Sequence, residues 1–74
     1  MKKISMDDSI YDLVMKFPEI KNILFDLGFK DIMKPGMIQT VGKFMNLRKG
    51  AMAKKIELDI IVGKLKDAGF LLED

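Results

Sequence analysis

A chain of 74 residues without cysteine or histidine has to fold by packing apolar side chains, because it lacks the residues for a disulfide or an ordinary zinc site. A chain of this length buries only about 60% of the surface that its unfolded state exposes, which is near the lower limit for folding unaided. Apolar residues make up 49% of the sequence, too many for a disordered segment. We therefore expect a single helical domain over residues 1–74, since the chain is too short for a second core.

The two missing residue types also remove most catalytic chemistry. Without cysteine there is no thiol nucleophile, and without histidine there is neither the commonest general base nor the commonest metal ligand. Ser5, Ser9 and Thr40 have no histidine to activate them, and the closely spaced acids lie where helix starts or a chain end explain them. We expect no enzymatic activity, no cofactor and no metal.

Nothing in the sequence predicts export or membrane insertion. Lys2 and Lys3 are followed by Asp7, Asp8 and Asp12 where a signal peptide would have its apolar stretch. No run approaches the roughly 18 apolar residues that a membrane span needs. The expected location is the cytoplasm, which suits a chain without cysteine.

Apolar residues at helical spacing predict two helices separated by Pro18. The first helix carries the stripe Ile10, Leu13, Val14 and Phe17, with Asp7 or Asp8 as its N-cap. The second begins at Pro18 and carries the stripe Ile20, Ile23, Leu24 and Leu27. Gly28 ends it, since glycine readily adopts the left-handed conformation of a helix C-cap, and Phe29 supplies the apolar contact of that cap.

A third helix is predicted from Pro35 to Asn46, after a connecting turn. Its apolar side consists of Met37, Ile38, Val41, Phe44 and Met45. Gly42 inside this helix costs about 1 kcal/mol relative to alanine. Such a glycine indicates close packing of another backbone, the approach of a ligand, or a tolerated imperfection, and we favour packing.

Residues 48–55 fit either a further helical turn or a loop around Gly50. The last helix carries the stripe Leu58, Ile61, Val62 and Leu65, and Gly69-Phe70 closes it as Gly28-Phe29 closes the second helix. Ile4 and Leu71-Leu72 are interpreted as short extended ends that pair. The predicted fold class is all-α: an irregular compact array of four or five short helices with extended ends.

Positive charge is concentrated in the middle of the chain. Residues 30–55 contain seven Lys or Arg and one acid, Asp31, a net charge of 7 − 1 = +6, although the whole chain has only +2. Met33, Met37, Met45 and Met52 fall in the same basic block, and we favour core packing for them over a binding role. We predict that the block binds a protein partner or a fused domain through Lys43, Phe44, Met45, Arg48 and Lys49.

Two other functions remain open for the basic block. A helix that begins near Gly36 would offer free backbone amides to an anion, so Gly36 and Gly42 are candidates for a small-ligand or anion site in a sensor domain. Gln39 and Asn46 on an exposed helix face would suit nucleic-acid recognition. Nucleic acid is disfavoured, because the net charge is low and no aromatic residues alternate with the basic ones.

Several short segments, taken in order, resemble a known family. They are Asp-Ser-Ile-Tyr-Asp-Leu (8–13), Phe-Pro-Glu (17–19), Ile-Leu-Phe-Asp-Leu-Gly-Phe (23–29), Thr-Val-Gly-Lys-Phe-Met (40–45), Lys-Gly-Ala (49–51) and Ala-Gly-Phe (68–70). Together they look like the small helical domain-of-unknown-function family numbered eighteen fifty-eight. The resemblance implies a bacterial or archaeal module that occurs alone or at the N-terminus of larger sensor-like proteins, with no established activity.

The resemblance extends to a sister group, the hybrid-cluster-protein-associated disulfide domains. Members of that group carry a cysteine pair shortly after the position of Gly28, where this chain has Phe29-Lys30-Asp31-Ile32. The redox role that the sister group implies does not carry over to a chain without thiols. The chain therefore resembles a cysteine-free branch, and because thiol chemistry is excluded we expect that branch to act by surface recognition.

Overall fold

Short helices make up most of residues 2–73, the part of the chain that the computed structural model describes. The elements in chain order are β1 (Lys2–Ser5), α1 (Ile10–Lys16), α2 (Glu19–Leu27), a 3₁₀ helix (Lys30–Met33), α3 (Val41–Phe44), α4 (Leu47–Lys54), α5 (Leu58–Asp67) and β2 (Phe70–Glu73). The predicted array of short helices is confirmed. The all-α class is wrong in one respect, because β1 and β2 form a small sheet.

The two strands pair in parallel, with Lys2 opposite Phe70 and Ile4 opposite Leu72. This confirms the predicted pairing of the extended ends. Parallel neighbours need a long crossover connection, and here the helices supply it. Ile4 and Phe70 are buried whereas Leu71 is exposed, so one face of the sheet closes over the helical core.

The first two helices end as the sequence predicts, but α1 starts differently. Its N-cap is Ser9, whose hydroxyl accepts a hydrogen bond from the Asp12 amide at 3.0 Å, and not Asp7 or Asp8. Asp8 instead accepts from the Ser5 amide. Gly28 ends α2 in the left-handed region at φ 117°, and the amide of Phe29 donates back to the Leu24 carbonyl at 2.9 Å. This is the hydrogen bond of a Schellman cap.

The third helix predicted over Pro35–Asn46 is wrong, because residues 35–40 form turns and only Val41–Phe44 are helical. Gly36 has φ +80°, outside the helical region. The hydroxyl of Thr40 donates to the Gly36 carbonyl at 2.8 Å and tightens the turn. With the helix broken, the predicted apolar side divides: Ile38 is buried, whereas Val41 is 44% exposed and Phe44 is 81% exposed.

The segment around Gly50, for which a helical turn and a loop were both open, is the helix α4. Asn46 caps it, because its side-chain oxygen accepts a hydrogen bond from the Lys49 amide at 2.8 Å. The glycine is buried at the point where α4 lies against the Phe29 ring. At Gly42, another backbone approaches instead: an added Cβ would lie 3.5 Å from the Tyr11 nitrogen. The packing interpretation of Gly42 is consistent with this approach.

A cluster of buried apolar residues joins α1, α2, α4, α5 and both strands. Its members are Ile4, Met6, Ile10, Leu13, Ile20, Leu24, Phe29, Leu47, Ala51, Ile61, Leu65 and Phe70. Each helix is too short to be stable alone, so this shared core holds them in place. The prediction of core packing for the methionines of the basic block is wrong for Met52, which is 81% exposed, while Met45 packs against the cluster.

Two helical glycines provide a test of this packing. A Cβ added at Gly50 would lie 2.5 Å from Cε1 of the buried Phe29 ring, whereas one added at Gly63 would meet nothing within 4 Å. We expect Gly50→Ala to lower the free energy of unfolding by about 1–3 kcal/mol through overpacking. Gly63→Ala should raise it by about 0.5–1 kcal/mol through helix propensity. Urea unfolding followed by circular dichroism measures both, and equal effects of the two substitutions would contradict the packing at Phe29.

Candidate functional site

The five residues predicted to bind a partner lie close together, and we call them the 43–49 surface: Lys43, Phe44, Met45, Arg48 and Lys49. The first two end α3, Met45 follows α3, and the last two lie in the first turn of α4. All but Arg48 line a shallow hollow of about 310 Å³, together with Asp7, Ser9 and Asn46. Arg48 joins through Asp7, since its Nε lies 3.4 Å from Oδ1 of that carboxylate.

A backbone bridge between residues distant in sequence positions this surface. Ser9 and Asn46 form an antiparallel β-bridge, and the amide of Ile10 donates to the Met45 carbonyl at 2.8 Å. Both bridge residues are helix N-caps, Ser9 for α1 and Asn46 for α4. The bridge therefore holds two helix starts side by side and leaves the end of α3 beside them.

Basic residues and an exposed aromatic residue line the same hollow of this surface. The Lys43 ammonium lies 4.9 Å from the centre of the Tyr11 ring, a cation–π contact that orients the lysine along α1. Phe44 projects into solvent, with 81% of its surface exposed. The surface has three basic residues, and Asp7 lies beside them in the hollow, so the surface taken together with Asp7 has a net charge of 3 − 1 = +2.

A second feature, the apolar cleft, lies on the other side of Met45. It has a volume of about 200 Å³. Its walls come from α1, the 3₁₀ helix, the turns before α3, α3 itself and the end of α4. The lining residues are Ile10, Phe29, Asp31, Ile32, Met37, Val41, Gly42, Met45, Ala53 and Lys54. Met45 thus contributes to both the hollow and the cleft.

Charge at the apolar cleft is concentrated in one ion-pair group. Asp31 accepts a hydrogen bond from Lys54 at 3.0 Å through Oδ2, and Lys34 lies 3.6 Å from Oδ1. The hydrogen bond from Lys54, with the charges of Lys54 and Lys34, holds the pKa of Asp31 below its usual range. Asp31 is therefore ionised at neutral pH, and the group has a net charge of 2 − 1 = +1.

The structure does not provide the helix start on which the anion-site hypothesis depended. Gly36 lies in an exposed turn, whereas Gly42 is buried, and its amide donates to the Met37 carbonyl at 2.9 Å. The helix begins only at Val41 and has four residues. The two glycines therefore do not share a set of free amides, although Gly42 does line the apolar cleft.

The features that would suit other ligand classes are placed as follows. Asn46 uses its side-chain oxygen as a helix cap, which removes one of the two residues considered for base recognition. No group of three or more acidic, cysteine or histidine side chains that would hold a metal ion occurs within residues 2–73. Over that same range, no helix has the length and apolar character to cross a membrane.

Sequence reasoning missed three participants in the surface: Asp7, Ser9 and Tyr11. Ser9 carries a readable signal, because serine is a preferred N-cap and it stands directly before the stripe of α1. Asn46 carries the same signal directly before Leu47. Two adjacent N-caps on different helices do not by themselves indicate that they pair, so their proximity was not predictable from local pattern.

The comparisons agree with this fold. The structure matches the crystal structure of the conserved domain protein from Streptococcus pneumoniae TIGR4 with a TM-score of 0.92 and 32% sequence identity. The match covers 99% of this chain and 92% of the pneumococcal chain. The similarity therefore extends through both strands and all the helices described above.

Residues 4–62 match the family "Domain of unknown function (DUF1858)", and the chain belongs to that family. This confirms the family resemblance read from the ordered segments of the sequence. No curated protein matches the chain.

The Asp31 ion pairs make a pH-dependent contribution to stability. Because the folded pKa of Asp31 is depressed, ionised Asp31 stabilises the fold above its unfolded pKa, and this contribution is lost as pH falls through the folded pKa. We expect Lys54→Gln to raise the pKa of Asp31 towards its ordinary value, and Lys55→Gln to leave it nearly unchanged. Carboxyl ¹³C NMR titration measures both, and equal shifts in the two variants would contradict the role of Lys54.

Proposed function

We propose that this domain is a non-catalytic interaction module whose 43–49 surface binds an acidic, partly apolar segment of a protein partner or fused domain. The observation that carries the proposal is the exposed ring of Phe44, 81% accessible, beside Lys43 and the first turn of α4. Aromatic residues, methionine and arginine are enriched at protein–protein interfaces, and Phe44, Met45 and Arg48 belong to these types. Cytoplasmic location and the absence of catalysis belong to the same proposal.

Exposure of Phe44 is the first line of support. Ile10, Leu13 and the other core residues close the interior without it, so the ring contributes little to folding. Full burial of such a side chain in a complex removes apolar surface from water and contributes about 1.5–3 kcal/mol. The hollow beside the ring gives a partner side chain a place to pack.

Charge is the second line of support. The net charge of +2 on the surface favours a partner with acidic residues, and opposite charges accelerate association more than they strengthen the final complex. Lys43 and Arg48 are already oriented, by the Tyr11 ring and by Asp7 respectively. Preorganised side chains lose less conformational entropy when a partner binds.

Reversing the charge of the surface tests its role. We expect the triple variant Lys43→Glu, Arg48→Glu, Lys49→Glu to weaken partner binding at least about tenfold, since each close charge pair contributes up to about 1 kcal/mol at an exposed site. Partners are captured on the immobilised wild-type domain from an extract of the source organism, purified, and titrated against each variant by calorimetry.

The matched control is Lys64→Glu, Lys66→Glu, which reverses two exposed lysines on α5. It should bind like the wild type, and all variants should keep the helical circular dichroism spectrum. Undiminished binding by the triple variant would exclude this surface. Capture of nucleic acid in place of protein, with affinity that falls steeply as salt rises, would favour the nucleic-acid alternative.

Phe44 has an internal control in Met52, because both side chains are 81% exposed. We expect Phe44→Ala to weaken partner binding about tenfold or more, as truncation of an interface anchor does. Met52→Ala should leave binding within about twofold, since Met52 lies outside the hollow. Neither change should alter the free energy of unfolding by more than about 0.5 kcal/mol, because both positions are at the surface. Equal losses of affinity would contradict the assignment of Phe44 as the anchor.

A further inference from the structure

The apolar cleft is a second concave feature of the molecule, adjacent to the 43–49 surface at Met45. Its volume of about 200 Å³ is close to that of an engineered cavity of about 150 Å³ that holds benzene. Small residues leave this space open, with Gly42 on one wall and Ala53 on another. By proportion to the benzene cavity, the cleft accommodates a ligand of about eight non-hydrogen atoms.

Close packing of α3 against α1 at Gly42 forms one wall of the cleft. A Cβ added at Gly42 would be in van der Waals contact with the Tyr11 nitrogen, at 3.5 Å, and with Cγ2 of Ile38, at 3.6 Å. Phe29 and Ile10, both buried, form the inner wall. The interior of the cleft is therefore a firm apolar surface that belongs to the core.

The ion-pair group at the cleft defines which charge a ligand carries. Asp31 and Lys54 line the cleft, and Lys34, which lies outside the lining, also contacts Asp31, so the three residues together have a net charge of 2 − 1 = +1. A lysine ammonium has three N–H donors, and the hydrogen bond to Asp31 Oδ2 uses one of those of Lys54. An added cation would be the third around Asp31, whereas an added carboxylate would balance the excess charge.

We propose that the cleft binds a small apolar monocarboxylate, branched or aromatic, with its hydrocarbon part between Phe29 and Met37 and its carboxylate on Lys54. The apolar walls select the hydrocarbon, and the positive charge that Lys34 adds to the Asp31–Lys54 pair selects the acid. This site is independent of partner binding at the 43–49 surface, although Met45 lines both.

The experiment uses benzoate and isovalerate as probes and follows amide signals in ¹H–¹⁵N NMR spectra of the whole chain. We expect saturable shifts at Ile32, Gly42 and Ala53, which line the cleft. Benzamide and isovaleramide, the neutral counterparts, should bind about three- to tenfold more weakly, because they lose a charge-assisted hydrogen bond to a partly exposed lysine. Benzylamine should bind more weakly still.

Two pairs of variants locate the site. Ala53→Leu should abolish the shifts by filling the cleft, whereas Ala68→Leu, at the exposed end of α5, should not. Lys54→Gln should weaken benzoate binding about three- to tenfold, whereas Lys55→Gln should leave it unchanged. Circular dichroism melting checks that each variant folds. If Ala53→Leu does not fold, the comparison of Lys54→Gln with Lys55→Gln still tests the proposal.

Several results would overturn the proposal. One is that the amide shifts do not saturate with either benzoate or isovalerate at about 10 mM. That concentration is above the roughly millimolar dissociation constant expected of a weak ligand with few atoms. Another is equal affinity for benzoate, benzamide and benzylamine. A third is a set of shifts centred on Phe44 and Lys49, which would place the ligand on the 43–49 surface. The first two results leave partner binding untouched, and partner binding is in every case measured with separate variants.

Discussion

The hydrogen bond from the Ile10 amide to the Met45 carbonyl, 2.8 Å long, is the contact on which both candidate sites depend. It belongs to the bridge between Ser9 and Asn46, and it joins the start of α1 to the start of α4. Because backbone groups make this bridge, it fixes the path of the chain through residues 45–46 whatever the neighbouring side chains do. Met45 is thereby held between the hollow and the cleft, and Phe44 projects away from the core.

Closure of the chain ends completes the core beneath those sites. Phe70 is fully buried and packs edge-on against Phe17, with ring centres 5.3 Å apart. The Lys2 ammonium lies 5.1 Å from the Phe70 ring and also pairs with Glu19. Without a disulfide, these contacts and the parallel strands are what bring the first and last described residues together. The short helices gain their stability from this shared packing, since none reaches the length at which a helix persists alone.

Local sequence pattern was sufficient to predict those helices whose position and ends depend only on residues a few positions apart. The stripes of α1, α2 and α5, the stop at Pro18 and the cap at Gly28 were all predictable, because periodicity and backbone restriction act over a few residues. The structure of residues 35–46 was not predictable in this way, because their apolar residues keep helical spacing. The helix is nevertheless interrupted, since Gly36 lies at φ +80° and the Thr40 hydroxyl donates a hydrogen bond to the Gly36 carbonyl. The same spacing led us to expect Phe44 on an apolar helix face, and its exposure follows from the broken helix. That Asp7 and Tyr11 join the 43–49 surface depends on pairing between residues 9 and 46, which no local pattern encodes.

Ion pairs in the folded structure also redistribute the positive charge that the sequence concentrates in residues 30–55. The basic block has seven positive side chains along the chain, yet Asp31 neutralises part of their charge through Lys34 and Lys54, and Asp7, which lies outside the block, pairs with Arg48. Part of the remaining positive charge lies in two places, each beside apolar surface: an exposed ring at Phe44 and an apolar cleft at Lys54. Charge beside apolar surface discriminates among ligands better than either does alone, because apolar burial supplies affinity and charge excludes the wrong sign. The two proposals therefore assign acidic ligands of very different size to the two sites, a protein segment to one and a small acid to the other.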